Sequence, residues 1–427
     1  MVDAASFGPE VRKILEEAHE AFGSDDAVRL RGVLSRNPVL KGMLNAPVGP
    51  FDAPVIIHVK SRGMLDALLD AGADINARSQ WWAGGFGVLD WAPPDIASYA
   101  IERGATITIH AAARLGLIDR LRAFITQDVS LVHARGGDGQ TPLHMASSVE
   151  AADLLIEAGA DINARDIDHE STPAQYMVAE RQPVARHLVA KGCRTDILMT
   201  AALGDLARTS QHLDADATCI RMRVDDRWFP KVNPKAGGTI YNWTLGFYAS
   251  AHGAANRFGH AQVLQLLFDR TPPASRVVEA CWIEDEVAAR RFQAEVPDVA
   301  GGLSAEERKL LAHAARNNRT AAVRLMLESG LSVGVGGQHN GTALHWAAFH
   351  GNADMIGEIL KFTPDLEAKN NDFNSTPLGW AIHGSEHGWY ARTGDYPQAV
   401  ERLLQAGAKR PETISGTAAV RAVLERR

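Results

Sequence analysis

Cysteine is nearly missing from this chain, and whole classes of protein are excluded with it. Cys193, Cys219 and Cys281 are the only three in 427 residues. They are far apart, odd in number, and form no C-x-x-C pair. That pattern excludes a disulfide framework or a thiolate zinc site and fits a reducing compartment. Long apolar runs are missing too: none approaches the length that spans a bilayer. Residues 1–22 carry acidic helical sequence instead of the apolar segment of a secretory signal. Basic excess is also lacking, since the formal charge is −7 and the isoelectric point is near 6.1. Bulk nucleic-acid binding needs a basic face. The expectation is a cytoplasmic protein with neither nucleic acid nor membrane as partner.

What the chain has instead is repetition. Thr342-Ala343-Leu344-His345-Trp346-Ala347-Ala348 recurs as Thr141-Pro142-Leu143-His144-Met145-Ala146, as Ile109 to Gly116, and as Thr376-Pro377-Leu378-Gly379-Trp380-Ala381. A second phrase, of the type Leu-Leu-x-x-Gly-Ala-Asp-Ile-Asn-Ala, stands at Leu68 to Ala77, at Leu155 to Ala164 and, shortened, at Leu403 to Ala408. Thr caps free amides at the start of a short helix, and Pro fits the first helical position. The Gly takes the left-handed position after a longer second helix.

These two phrases at a period of about 33 residues resemble the ankyrin-repeat family. The resemblance is strongest around 107–165 and 342–410 and weakest around 213–305. It implies an all-α solenoid of about twelve helix pairs, several degenerate. The expected organisation is an N-terminal helical cap at 1–53, an N-terminal arm of repeats at 54–217 and degenerate repeats with a long insertion at 218–305. A C-terminal arm at 306–410 and a helical tail at 411–427 follow. The resemblance also implies partner binding through a concave face of hairpin tips and inner helices, with no shared catalytic residues to carry over.

Three insertions interrupt the repeat: Ser79 to Gly87, about Thr218 to Ser250, and His383 to Tyr396. The second alternates Cys219-Ile220-Arg221-Met222-Arg223-Val224 and later runs Thr239 to Thr244, which predicts a β-hairpin-like finger. Tryptophans gather in or beside these insertions. Trp91, Trp346 and Trp380 share one repeat position, Leu-x-Trp-Ala, and are expected in the core. Repeat register likewise assigns structural roles to His110, His144, His252 and His345, and turns His339, His350 and His383 toward the groove.

The expected function is a non-catalytic interaction module binding another protein or peptide. The candidate contact residues are Trp81, Trp82, Trp228, Trp243, His339, Phe349, His350, Phe373, His383, Trp389 and Tyr390. An alternative is an enzyme or small-molecule sensor with a pocket formed by the inserted loops. Its acid–base candidates are Asp90, Asp225, Asp226, His339, His383, His387, Asp395 and Tyr396. His383-Gly384-Ser385-Glu386-His387 matches the inverted zinc-protease pattern H-x-x-E-H. Gly384 and Ser385 fall where the repeat expects a turn, and no third-ligand motif follows. No metal ligand and no cofactor are therefore assigned.

Overall fold

The computed structural model describes residues 9–426, with side chains described from Lys13 onward. Among the described residues twelve helix pairs follow one another, counting the turn Val55–His58 with Arg62–Asp70 as one, and Ala418–Glu425 closes the series. The chain divides into two compact units, 1–199 with 224–246 and 200–223 with 247–427. The sequence phrases explain each pair. Thr141 and Thr342 stand before the inner helices Pro142–Met145 and Ala343–Phe349 in extended conformation. Gly116 and Gly351 follow inner helices with φ of 66° and 61°, a region costly for any other residue.

The repeat histidines tie successive loops together. The Thr141 amide donates to His144 Nδ1 at 3.1 Å, so the proton sits on Nε2, which donates to Ser171 O at 3.0 Å. His345 repeats this with the Thr342 amide (3.2 Å) and with the carbonyls of Ala368 and Ser375, both at 3.1 Å. His110 Nε2 reaches the carbonyls of Ala134 and Gln140, both at 3.1 Å. Arginines of the following repeat close the shortest inner helices. Arg114 donates to the carbonyls of Leu89 and Ala92, and Arg181 to those of His144 and Ala146. Such carbonyls have no partner within a helix of one turn.

Between paired helices the cores are apolar and alanine-rich. Ala111, Ala112 and Ala113 are fully buried in the N-terminal unit, as are Ala347 and Ala348 in the C-terminal unit. Their small side chains let helices approach, while Leu65, Leu155 and Ile356 fill the space between them. Each such large apolar side chain contributes about 1.5–3 kcal/mol on burial.

The inserted finger takes a different form from the one predicted. Among the described residues there is no strand, and Arg223 and Ser250 make only an isolated bridge. Residues 217–221 form a 3-10 turn and Tyr241–Thr244 a single helical turn. The alternation at 219–224 reflects burial around a turn, with Cys219, Ile220, Arg223 and Val224 all inside. The loop's amides are met by side chains instead of a partner strand: Glu170 accepts from Val232 at 2.8 Å and Asn233 at 2.7 Å.

Where the repeat phrases are eroded, a buried polar group takes their place. Arg223 pairs with Glu279 and donates to Tyr248 O at 2.8 Å. Ser250 donates to the other Glu279 oxygen at 2.7 Å, and His252 Nε2 bonds the Thr271 hydroxyl at 2.9 Å. The Arg223 guanidinium also lies over the Trp282 ring.

Candidate functional site

In the C-terminal unit two consecutive inner helices, Ala343–Phe349 and Pro377–His387, and the hairpin tips preceding them enclose a cleft of about 410 Å³. Its walls are almost entirely rings. Trp346 and Trp380 meet edge to face at 5.1 Å, and Phe349 meets Trp389 in the same way at 5.7 Å. Phe373 closes one side against Trp380 at 5.6 Å. Edge-to-face packing of this kind holds ring faces at fixed angles and favours a defined cavity over collapse.

The sequence builds this cleft locally. Gly384 lies against the preceding inner helix, and a Cβ there would collide with the Phe349 carbonyl oxygen. The close approach lets the second helix continue to His387 instead of turning at Gly384, as was expected. That extra turn places His383 and His387 on one face, with rings 4.7 Å apart. It also starts the loop that carries Trp389 over Trp346, stacked at 5.8 Å.

Charge at the cleft is sparse and placed at its margins. His339, at φ 56° on a hairpin tip, pairs through Nδ1 with Asp372 at 3.0 Å, both exposed. The buried Arg316 guanidinium lies over the rings of Trp389 (4.9 Å), Trp346 (5.7 Å) and Phe247 (4.3 Å). Burial lowers its pKa from the usual guanidinium range. The indole nitrogens of Trp346 and Trp380 are buried behind the ring edges and have no hydrogen-bond partner.

Five of the predicted contact residues line this cleft: His339, Phe349, Phe373, His383 and Trp389. Two sequence expectations need correction. His350 does not face the groove. It is 1% exposed and donates from Nε2 to Arg316 O at 2.8 Å, because its helix register turns it between repeats. Trp91 is not a core residue. It is 43% exposed and packs against the rings of Phe51, Phe86 and His58 at the surface, since its helix, Val88–Trp91, is a single turn. Trp346 and Trp380 are buried as register requires, yet each still offers a ring edge to the cleft. Tyr390 packs edge-on against His350 at 5.0 Å.

The remaining predicted residues lie in the N-terminal unit. Trp81 packs on Phe51 at 5.2 Å with Trp82 beside it. Trp243 is exposed and covers the His169 ring at 4.6 Å. Trp228 is half-buried in the 225–230 turn.

The acid–base candidates are mostly engaged in holding turns. Asp90 accepts the Gly87 amide at 2.7 Å, Asp395 accepts the Gln398 amide at 3.1 Å, and Asp225 accepts the Arg227 amide at 2.9 Å. Asp226 is exposed on the same turn as Asp225. Tyr396 donates to Phe349 O at 2.9 Å, and burial pushes its phenol up to about 12.

Comparison with known proteins places these elements in context. The family model for ankyrin repeats in three copies matches residues 251–370 and 311–410, and the single ankyrin-repeat model matches 138–167. Palmitoyltransferase ZDHHC17 of Danio rerio is 30% identical over 111 residues, 24% of this chain and 18% of that protein. Serine/threonine-protein kinase VIK of Arabidopsis thaliana is 36% identical over 75 residues, 17% of each chain. The chain thus spans less than a fifth of the length of these curated relatives. Among solved structures, the human ASB11 ankyrin repeat domain aligns with all of its own chain and 72% of this one, at 18% identity and a TM-score of 0.30.

Proposed function

This chain is an ankyrin-repeat protein and so a protein-interaction module, and we propose that its ring-walled cleft receives an apolar anchor side chain from a partner peptide. One observation carries this reading. Ring-bearing side chains from two inner helices, two hairpin tips and an inserted loop converge on one cavity of about 410 Å³. That volume falls in the range of specific ligand sites, and one large apolar side chain with its flanking backbone fits it. Phe373 and Trp389, exposed by 61% and 58%, would lose most of that surface to a bound partner. Partner anchors of this kind dominate binding energy when they are fully desolvated. The Trp81–Trp82 insertion offers a second, smaller contact surface in the N-terminal unit.

The test is selection of a random displayed peptide library on the purified chain, followed by affinity measurement with the enriched peptides. Trp389→Ala and Phe373→Ala remove exposed rings and should leave the helical circular dichroism intact. Each should weaken a selected peptide by about 2 kcal/mol, roughly 30-fold. Enriched peptides without a large apolar residue, or wild-type affinity in both variants, would refute the proposal.

A further inference from the structure

Away from the cleft, in the N-terminal unit, two successive hairpin tips bring Asp138, Asp168 and His169 together. One ligand atom from each lies within 4.8 Å of the other two. His169 Nε2 is 3.7 Å from Asp138 Oδ2 and 3.8 Å from Asp168 Oδ2. These separations are too long for hydrogen bonds, which need about 2.7–3.2 Å. They suit a single ion between the three atoms, at roughly 2–2.5 Å from each.

The rest of the site fixes each ligand for that task. His169 Nδ1 lies 3.0 Å from the Gly238 carbonyl, an acceptor only, so Nδ1 carries a proton and Nε2 is the atom that faces the two carboxylates. Two carboxylates facing one ring nitrogen call for a positive charge there, which a bound cation supplies with Nε2 as its ligand. The same arrangement of carbonyl, imidazole and open nitrogen orients histidine in metal centres. Asp168 Oδ1 accepts the Gly237 amide at 3.0 Å, which leaves Oδ2 free to face the cluster. Asp138 is held at φ 55° by its own tip, and its carbonyl accepts the amides of Ile167 (2.8 Å) and Asp168 (3.1 Å).

Asp138 is only 8% exposed, and its Oδ1 makes no hydrogen bond of normal geometry, although the Trp81 indole lies beside the carboxylate as a donor. A buried carboxylate needs a compensating charge.

We infer that Asp138, Asp168 and His169 form a binding site for a first-row divalent cation such as Zn²⁺ or Mn²⁺. Two carboxylates and one imidazole, with no thiolate, suit these borderline to hard ions. Three protein ligands leave at least one coordination position for water or for a group on a partner. Trp243, lying on His169, forms the outer wall.

The experiment uses the full chain, stripped with a chelator and titrated with Zn²⁺ and separately with Mn²⁺ by calorimetry. The wild type is expected to bind one equivalent with a Kd of about 10 µM or tighter, and binding should raise its melting temperature. Asp138→Asn and His169→Gln should each weaken that equivalent by at least about tenfold. His387→Ala, which alters an exposed imidazole in the other unit, should leave it unchanged. A wild type that binds neither ion would overturn the inference whatever the variants do. So would an equivalent that survives Asp138→Asn but is lost with His387→Ala.

Discussion

Acidification should loosen the C-terminal unit through one imidazole, that of His350. Its ring is sealed between repeats, 1% exposed, with Nε2 bonded to Arg316 O and Nδ1 without a partner. Burial drives its pKa down from 6.5 to about 4, and the Arg316 charge pushes in the same direction. The folded value therefore lies below the unfolded one. Above pH 6.5 both states hold a neutral ring and stability is intact. Below it the unfolded chain takes up a proton that the folded chain refuses, so stability falls until about pH 4. At 1.4 kcal/mol per pH unit, the loss between pH 7 and pH 5 is about 2 kcal/mol from this group. His350→Gln keeps an N–H for the Arg316 carbonyl and removes the titration. Urea unfolding followed by tryptophan fluorescence suits the measurement, because the rings of Trp389 and Trp346 lie 5.4 and 6.0 Å from His350. The wild type should lose about 2 kcal/mol more than the variant between pH 7 and pH 5. Equal losses in both would refute the argument.

Two further outcomes follow from packing. Glu279→Ala leaves the Arg223 guanidinium buried without its counter-ion. Breaking such a pair from one side costs about 3–5 kcal/mol, and a lowered urea midpoint for the C-terminal unit would register it; an unchanged midpoint would contradict the assignment. Gly384→Ala places a methyl against the Phe349 carbonyl. An overpacked contact of this kind costs about 1–3 kcal/mol. It should also shift the fluorescence of Trp389, whose position depends on that approach, and a variant with wild-type stability and spectrum would argue against it.

Much of the fold was legible because capping and left-handed glycine positions are local chemistry. Thr141-Pro142, Thr342 and Thr376-Pro377 each begin an inner helix where their sequence places them. The insertion at 218–250 was misread because alternation at Cys219 to Val224 has two physical sources, a pleated strand or a turn with buried residues on its inner side. Only a partner strand separates them, and none is there. The cleft was half legible. Register put Trp346 and Trp380 in the core, which their burial matches, but it could not show that the same rings present edges to a cavity. The helix through Gly384 escaped notice because glycine marks both helix ends and close helix contacts. His169 was missed altogether. Its signal lay in distance along the chain: Asp138 and His169 stand 31 residues apart, close to one repeat, and a solenoid brings such positions side by side.

The bond from His144 to Ser171 O has a bearing on how such a chain can be cut and rejoined. It fastens the loop holding Asp168 and His169 to the helix of the repeat before it. The heritable module is consequently offset from the sequence period: an inner helix travels with the loop that comes after its own outer helix. A crossover inside the outer helix Val149–Glu157 would sever imidazole from carbonyl, whereas one falling just after Ser171, ahead of the next inner helix, would transplant loop and tether as one piece.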